Sequence, residues 1–263
     1  MAESTPHEGS AWRARFRLLR FLCALSWHAL RYEVVRWFMA AKNRPMHVHR
    51  TRLRIAESLL HSLGVKRTVH GPRPAYPHDS TCGRLLVANH RCGVDIGVLL
   101  AESGGIFLSR ADLGQWPIVG RLSKQADTIF VDRDSKHSGA AAIRELRRRL
   151  KAGQTVIVFP EGTTHRGDDV QTFRAGAFAA ARGLDVEVVP VGLAYPPGVE
   201  YIDMSFMTHV KIVAARKRTP VAVEFGEPLP TGLKPAQLAE ACQTRVQALV
   251  SLARQRLESD AST

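Results

Sequence analysis

The sequence is short of four things, and each shortage narrows what the chain can be. Its four cysteines, Cys23, Cys82, Cys92 and Cys242, have neither metal-ligand spacing nor a paired pattern. This argues against a zinc cluster or disulfide scaffold and suits a reducing compartment. Long apolar runs are missing: the N-terminal segment goes without a formal charge for no longer than Phe21 to Leu30, half of the roughly 20 residues a membrane-spanning helix needs. Arg31, Glu33 and Arg36 also break that region before any convincing cleavage site, which argues against a signal peptide. No Gly-x-Ser-x-Gly occurs, so the nucleophile elbow ordinary for a thioesterase or lipase is lacking. Acidic residues are outnumbered, 24 Asp and Glu against 37 Lys and Arg.

That acidic deficit is local. Residues 1–73 hold 14 Lys and Arg against 4 Asp and Glu, leaving 23 against 20 for the rest. A basic module of this kind reads as a surface for nucleic acid or for anionic lipid headgroups. The residues between the arginines favour lipid. In "WRARFRLLRFLCALSWHALRYEVVRWFMAA", Arg13, Arg17, Arg20, Ala24, His28 and Arg31 step by three or four into one polar stripe, and Trp, Phe and Leu occupy the other faces. The pattern is that of an interfacial helix lying on an anionic membrane, monotopic or peripheral and on the cytoplasmic side, with no nucleic acid expected. The competing reading is an amphipathic helix packed on the protein's own core.

With 263 residues, 45% of them hydrophobic and 23% charged, the chain is globular. A second helix over about 48–63, ending before Gly64, completes a basic helical hairpin over residues 1–70. Pro72, Pro74 and Pro77 mark 71–83 as a linker. Residues 84–258 then alternate short apolar runs with helical segments, and 259–263 is a frayed tail. Seven runs read as strands: 85–88, 105–108, 128–131, 155–159, 186–192, 209–213 and 221–225. Helices are expected over 138–151, 175–182 and 235–257. The fold class is therefore α/β, with a mostly parallel sheet of about seven strands flanked by helices and ligands beyond the carboxyl ends of the strands.

Three strand ends carry chemistry. In "LLVANHRCGVD", His90 and Asp95 lie five apart, a turn of about 140° on a single helix. A strand-to-helix junction between them lets them face each other, with Asp95 in the first helical turn holding one ring nitrogen. An imidazole held this way is a general base. The motif contains no suitably placed serine, so the proton could come from a substrate hydroxyl; a structural histidine is the alternative. Cys92 is two positions from His90 and should point elsewhere. In "VIVFPEGTTHRG", Glu161, Gly162 and Thr163 make a turn suited to a phosphate or an oxyanion, or else an ordinary surface loop. In "TIFVDRD", Arg133 follows a strand, where it can clamp a phosphate or pair with Asp132 or Asp134. Arg110 and Arg174 are similar cations.

Taken in order, "NHRCGVD", "LSRADLGQWPIVGRL", "TIFVDR", "VFPEGTTH" with "FRAGAF", and "VVPVGL" resemble the glycerolipid acyltransferase family typified by bacterial 1-acyl-sn-glycerol-3-phosphate (lysophosphatidic acid) acyltransferases. The resemblance covers about 84–228. It implies His90 as catalytic base and Asp95 as its orienter. It associates Phe130, Arg133, Glu161 and Gly162 with acceptor and phosphate binding, and Val189 and Pro190 with shaping the acyl or acceptor site. It also implies cationic roles near Arg110 and Arg174. Cys92 stands where the family commonly has serine, Asp127 where glycine is expected, and His165 where serine or arginine is frequent.

The activity this implies is transfer of a fatty acyl group from acyl-CoA or acyl-carrier protein to the free hydroxyl of lysophosphatidic acid, in phospholipid biosynthesis, with no metal or bound cofactor. Another lysophospholipid, a lyso-ornithine lipid or glycerol 3-phosphate are alternative acceptors. A thioesterase or lipase, or a non-enzymatic basic lipid- or nucleic-acid-binding module, are the alternatives of a different class.

Overall fold

In a computed structural model, residues 10–40, 43–72, 82–110, 128–131 and 136–261 are described. The chain begins with two helices, α1 (Ala11–Phe38) and α2 (Arg44–Leu63), followed by β1 (Val65–His70) and β2 (Gly83–Ala88). After β2 come α3 (Val94–Ser103), β3 (Ile106–Arg110), β4 (Ile129–Val131), α4 (Lys136–Lys151) and β5 (Thr155–Val158). The last third comprises α5 (Gly176–Ala181), β6 (Val186–Ala194), α6 (Phe206–Ala215), β7 (Thr219–Phe225) and α7 (Pro235–Ala261).

The strands form one seven-stranded sheet in the order β1-β7-β6-β2-β5-β3-β4. Neighbours run parallel except β6 and β7, which are antiparallel. Side chains alternate across β2, so each face of the sheet buries its own core. Leu86 and Ala88 pack with α2, α3 and α6 through Leu60, Leu99 and Val213. Leu85 and Val87 pack with α4, α5 and α7 through Leu150, Phe178 and Leu238. Truncating a fully buried leucine such as Leu85 or Leu86 to alanine should cost about 2–5 kcal/mol, because the cavity would be walled by a sheet and helices that cannot collapse into it.

Seven strands are expected and seven are found among the described residues, but their membership differs. The 209–213 run, rich in β-branched residues, lies inside α6. Ser205 caps that helix by accepting the Thr208 N–H at 3.1 Å, and the inward positions His209, Val210, Val213 and Ala214 follow a helical period. The seventh strand is β1, whose sequence "VKRTVH" is half-exposed along an edge and carries no apolar run. It pairs in parallel with β7, from Val65 beside Thr219 to His70 beside Glu224.

The division into a hairpin over 1–70, a linker over 71–83 and a domain over 84–258 changes accordingly. Residues 65–70 belong to the sheet, and β2 begins at Gly83. Ala14, Ala56, Leu60 and Leu63 share one apolar cluster with Leu86 and Leu193, so the hairpin forms a layer over one face of the sheet. Most of the linker lies outside the described residues.

Helix α1 orients its residues unusually. Ala14, Leu25 and Tyr32 are buried. The opposite side carries Trp12, Phe16, Leu19, Cys23, Trp27, Leu30, Val34 and Trp37, all exposed, with Trp12 73% and Trp37 86% accessible. Their steps of three and four make a continuous apolar stripe in place of the polar surface usual for an outer helix. Two arginines of the expected polar stripe turn toward the protein. Arg13 donates to Ala215 O at 3.0 Å. Arg17 donates to Leu63 O at 3.1 Å, Ala214 O at 3.4 Å, Arg216 O at 2.6 Å and Lys217 O at 3.0 Å. These carbonyls end α2 and α6, where the helix dipole is negative and backbone oxygens lack helical partners.

Candidate active site

The site forms where β2 and β5 end side by side. Strand β2 is buried throughout and closes on Asn89, also fully buried. The Asn89 amide locks onto β6, accepting the Leu193 N–H at 2.8 Å and donating to Leu193 O at 2.9 Å. This side-chain pair takes the place of a further rung of the ladder and fixes where the chain leaves the sheet. His90 then stands at the turn and α3 begins at Val94, the strand-to-helix junction required by the five-residue spacing.

Asp95 lies in the first turn of α3 with its carboxylate fully buried. Its Oδ2 accepts from His90 Nδ1 at 2.8 Å, Arg91 N at 2.6 Å and Cys92 N at 2.9 Å. Burial by itself would raise the Asp95 pKa, but the His90 ring and the turn's backbone N–H groups outweigh it and hold the carboxyl below its ordinary value. An ionised Asp95 can only accept, so the His90 proton is assigned to Nδ1, leaving Nε2 with its lone pair. The His90 side chain is 18% exposed, its ring stacks on Phe159 at 4.2 Å between centroids, and Nε2 has no hydrogen-bond partner among the described residues.

The neighbouring groups are inert. Cys92 is buried and directs its thiol to Asp95 Oδ1 at 3.4 Å; burial, and then the Asp95 charge, raise its pKa well above the ordinary value and keep it protonated. Tyr195 is likewise buried, and its pKa is raised by that burial first and then by the Asp95 charge. On α6, His209 accepts the Gly93 N–H through Nε2 at 3.3 Å, and burial lowers its pKa to about 4, so it supports the turn as a neutral ring. The sequence offered no sign of this residue beyond a histidine in an apolar run.

The loop after β5 encloses His90 from the other side. The β2–β5 register ends at Val87 beside Val158, which carries Glu161 to the level of His90. The Glu161 side chain has no exposure. Its oxygens accept from His90 N at 2.6 Å, Gln171 N at 3.0 Å and Arg91 Nη1 at 3.4 Å. Arg91 is buried as well and donates through Nη2 to Asp169 O at 3.0 Å. The His90 carbonyl accepts from His165 N at 3.2 Å. Arg91 sits in the quoted motif, but only the folded loop reveals its link to Glu161.

Gly162 has φ of 81°, a left-handed conformation in which any side chain would be strained, and a Cβ there would meet the Arg174 guanidinium at 2.8 Å. Arg174 is exposed directly over this turn, and its side chain makes no hydrogen bond among the described residues. Thr163 is exposed at the same place, while the Thr164 hydroxyl donates to Tyr201 O. Pro190 is buried within β6 beside Val87, below the level of His90, just before the β6–β7 ladder opens at Val191 and Phe225. Arg110 ends β3 and Phe130 lies in β4, two and three strands from β2, and their side chains are outside the description. Arg133 is outside the described residues.

Together these features define an α/β enzyme with a carboxylate-held histidine at a strand end and no hydroxyl or thiol nucleophile bonded to it among the described residues. The chain is similar to known acyltransferases. The family described as Acyltransferase matches residues 66–194. The chain is 32% identical over 225 residues to a lyso-ornithine lipid O-acyltransferase of Pseudomonas aeruginosa, spanning 82% of this chain and 78% of that protein. It is 26% identical over 224 residues to a 1-acyl-sn-glycerol-3-phosphate acyltransferase of Neisseria meningitidis, spanning 80% and 83%. In fold it is similar to the crystal structure of the 1-acyl-sn-glycerophosphate acyltransferase PlsC from Thermotoga maritima, with a TM-score of 0.65, 22% identity and coverage of 90% and 98%. The chain belongs to the acyltransferase family and is an acyltransferase.

Proposed function

We propose that the protein transfers a fatty acyl group from a thioester, acyl-CoA or acyl-carrier protein, to the free hydroxyl of a lysolipid. The observation that carries this reading is the His90 ring, fixed by Asp95 at 2.8 Å through Nδ1 and open at Nε2. His90 Nε2 takes the acceptor's hydroxyl proton as that oxygen attacks the thioester carbonyl. The tetrahedral intermediate collapses, the carbon–sulfur bond breaks, and the thiolate recovers the proton from the imidazolium. Atoms and protons balance between donor, acceptor and His90. Asp95 remains ionised and stabilises the imidazolium. Donors of the turn around Thr163 would meet the oxyanion.

Arg174, exposed above Gly162 and unbonded among the described residues, would hold the acceptor's anionic group, together with Arg110 and Arg133. Lysophosphatidic acid is the first reading of the acceptor. Lyso-ornithine lipid is the second, favoured by the 32% identity to a relative named for it. The exposed stripe on α1 would lie in the bilayer surface, its aromatic rings among the headgroups and its basic neighbours against anionic lipid. Among the described residues no helix is long and apolar enough to cross a membrane.

Incubating the purified protein with labelled acyl-CoA or acyl-carrier protein and a panel of lysolipids, with products identified by mass, tests this directly. One diacyl product should dominate. Thiol release without acylation of any acceptor would overturn the reading.

A further inference from the structure

We infer that Glu161 is a positioning residue, which aims the His90 base by holding its backbone and leaves the acceptor to other groups. The inference rests on the acyl-transfer reading of His90 and concerns a different part of the site.

Burial closes the carboxylate to a ligand. With no exposed surface, it accepts from three protein donors: His90 N, Gln171 N and Arg91 Nη1. A free carboxylate beside a lipid phosphate would repel it, whereas one neutralised by Arg91 does not. The bonds converge on the two peptide groups that flank the His90 Cα. The His90 N–H enters Glu161 at 2.6 Å, and the His90 carbonyl is taken by His165 N at 3.2 Å and Arg91 Nη1 at 3.3 Å. His165 follows Glu161 on the same loop, and Arg91 is Glu161's own ion partner, so one loop grips the histidine's backbone on both sides. Asp95 fixes the ring's tilt and Glu161 fixes where the ring starts. A base displaced by about 1 Å can lose a hundredfold in rate.

Paired removal of a buried charge and its partner is tolerated better than removal of either alone. Two variants therefore test the assignment, Glu161→Met, which leaves the His90 N–H without its acceptor, and the double variant R91M/E161M, the second read in the same way if the first fails to fold. With acyl-CoA and lysophosphatidate or lyso-ornithine lipid in mixed micelles, kcat should fall at least tenfold while the acceptor KM stays within about twofold. Arg174→Ala serves as the contrast, raising acceptor KM with kcat largely kept. Hydrogen exchange of the His90 amide, protected by the Glu161 carboxylate, should quicken at least tenfold in either variant.

A tenfold rise in acceptor KM with kcat preserved would make Glu161 a substrate ligand and overturn the inference. Unchanged kcat, or unchanged His90 exchange, would overturn it as well. If the unaltered enzyme acylated no acceptor, the acyl-transfer reading would fall, and the exchange measurement would still decide whether Glu161 holds His90.

Discussion

The turn between β2 and α3 and the outer helix α1 both point charged groups into the protein, and they do so for opposite backbone needs. At the turn, Asp95 and Glu161 collect N–H groups: Arg91 and Cys92 on one, His90 and Gln171 on the other. On α1, Arg13 and Arg17 collect carbonyls from the ends of α2 and α6. Each charge satisfies polar groups that secondary structure leaves without partners. The difference lies in what remains uncovered. The turn leaves one ring nitrogen of His90 open, while the helix leaves a stripe of aromatic and aliphatic side chains. At these two places the ionised residues are fasteners, and function is to be sought in what they hold outward.

The largest test of that contrast is His90→Ala. It removes the open group and with it the ring bond to buried Asp95, which keeps the Arg91 and Cys92 N–H groups, so kcat should drop by about 10²–10⁴-fold, the usual share of a general base, with only a modest fall in the thermal melt. Steady-state rates beside a circular dichroism melt check both halves, and substantial residual transfer would remove His90 from the chemistry. Next in size is the helix. Replacing Trp12, Phe16 and Trp27 with serine takes three large exposed side chains from the stripe and should weaken partition onto anionic vesicles about a hundredfold, since each ring sinks only partly into the interface and, with about 40 Å² of apolar surface covered at about 25 cal/mol per Å², contributes about 1 kcal/mol. Vesicle co-sedimentation measures this. Because none of the three is buried, the melt in solution should hardly move.

How far the sequence discloses these features depends on whether a signal is local. The junction between His90 and Asp95 is legible because one strand end and one helix start fall within seven residues. The α/β class is legible because buried strands hold unbroken apolar runs such as 85–88 and 156–158. Strand β1 is not, since an edge strand with polar residues on both sides lacks such a run. The helix over 206–215 is mistaken for a strand because Val210, Ile212 and Val213 favour sheets locally, and packing against the site overrides that preference. The inward turn of Arg13 and Arg17 could not be read from α1 at all. Their carbonyl partners lie as much as 202 residues away along the chain, and a polar stripe looks the same from the sequence whether it meets water or helix ends.

His209 offers a smaller test, on the fold beneath the turn. Its folded pKa of about 4 lies below the ordinary histidine value of 6.5, so between those values the unfolded chain binds a proton that the folded chain does not. Stability is thus full above about pH 6.5, falls as pH drops toward 4, and loses no more from this residue below that. The loss is at most about 3 kcal/mol. Asp95, held below its ordinary 3.8, loses its own contribution only at lower pH, so the two windows separate. In a melting series the His209→Gln variant, which can still accept the Gly93 N–H, should show a flatter profile between pH 6.5 and 4. An unchanged slope would mean that His209 is not the group that titrates.

The smallest expected effect separates a fastener from a reactive group. Cys92 directs its thiol at Asp95 Oδ1, with its pKa raised by burial and by that carboxylate, and its backbone N–H is fixed to Asp95 Oδ2. A serine there is slightly smaller and donates to the same oxygen more strongly. Cys92→Ser should therefore keep kcat within about threefold of the unaltered enzyme and leave acceptor KM unchanged. Iodoacetamide should not inactivate the native enzyme through Cys92, because a buried protonated thiol is a poor nucleophile. If Cys92→Ser lost all turnover, the acyl group would have to pass through the thiol. The turn would then hold two functional groups, and its contrast with α1 would no longer rest on a single exposed nitrogen.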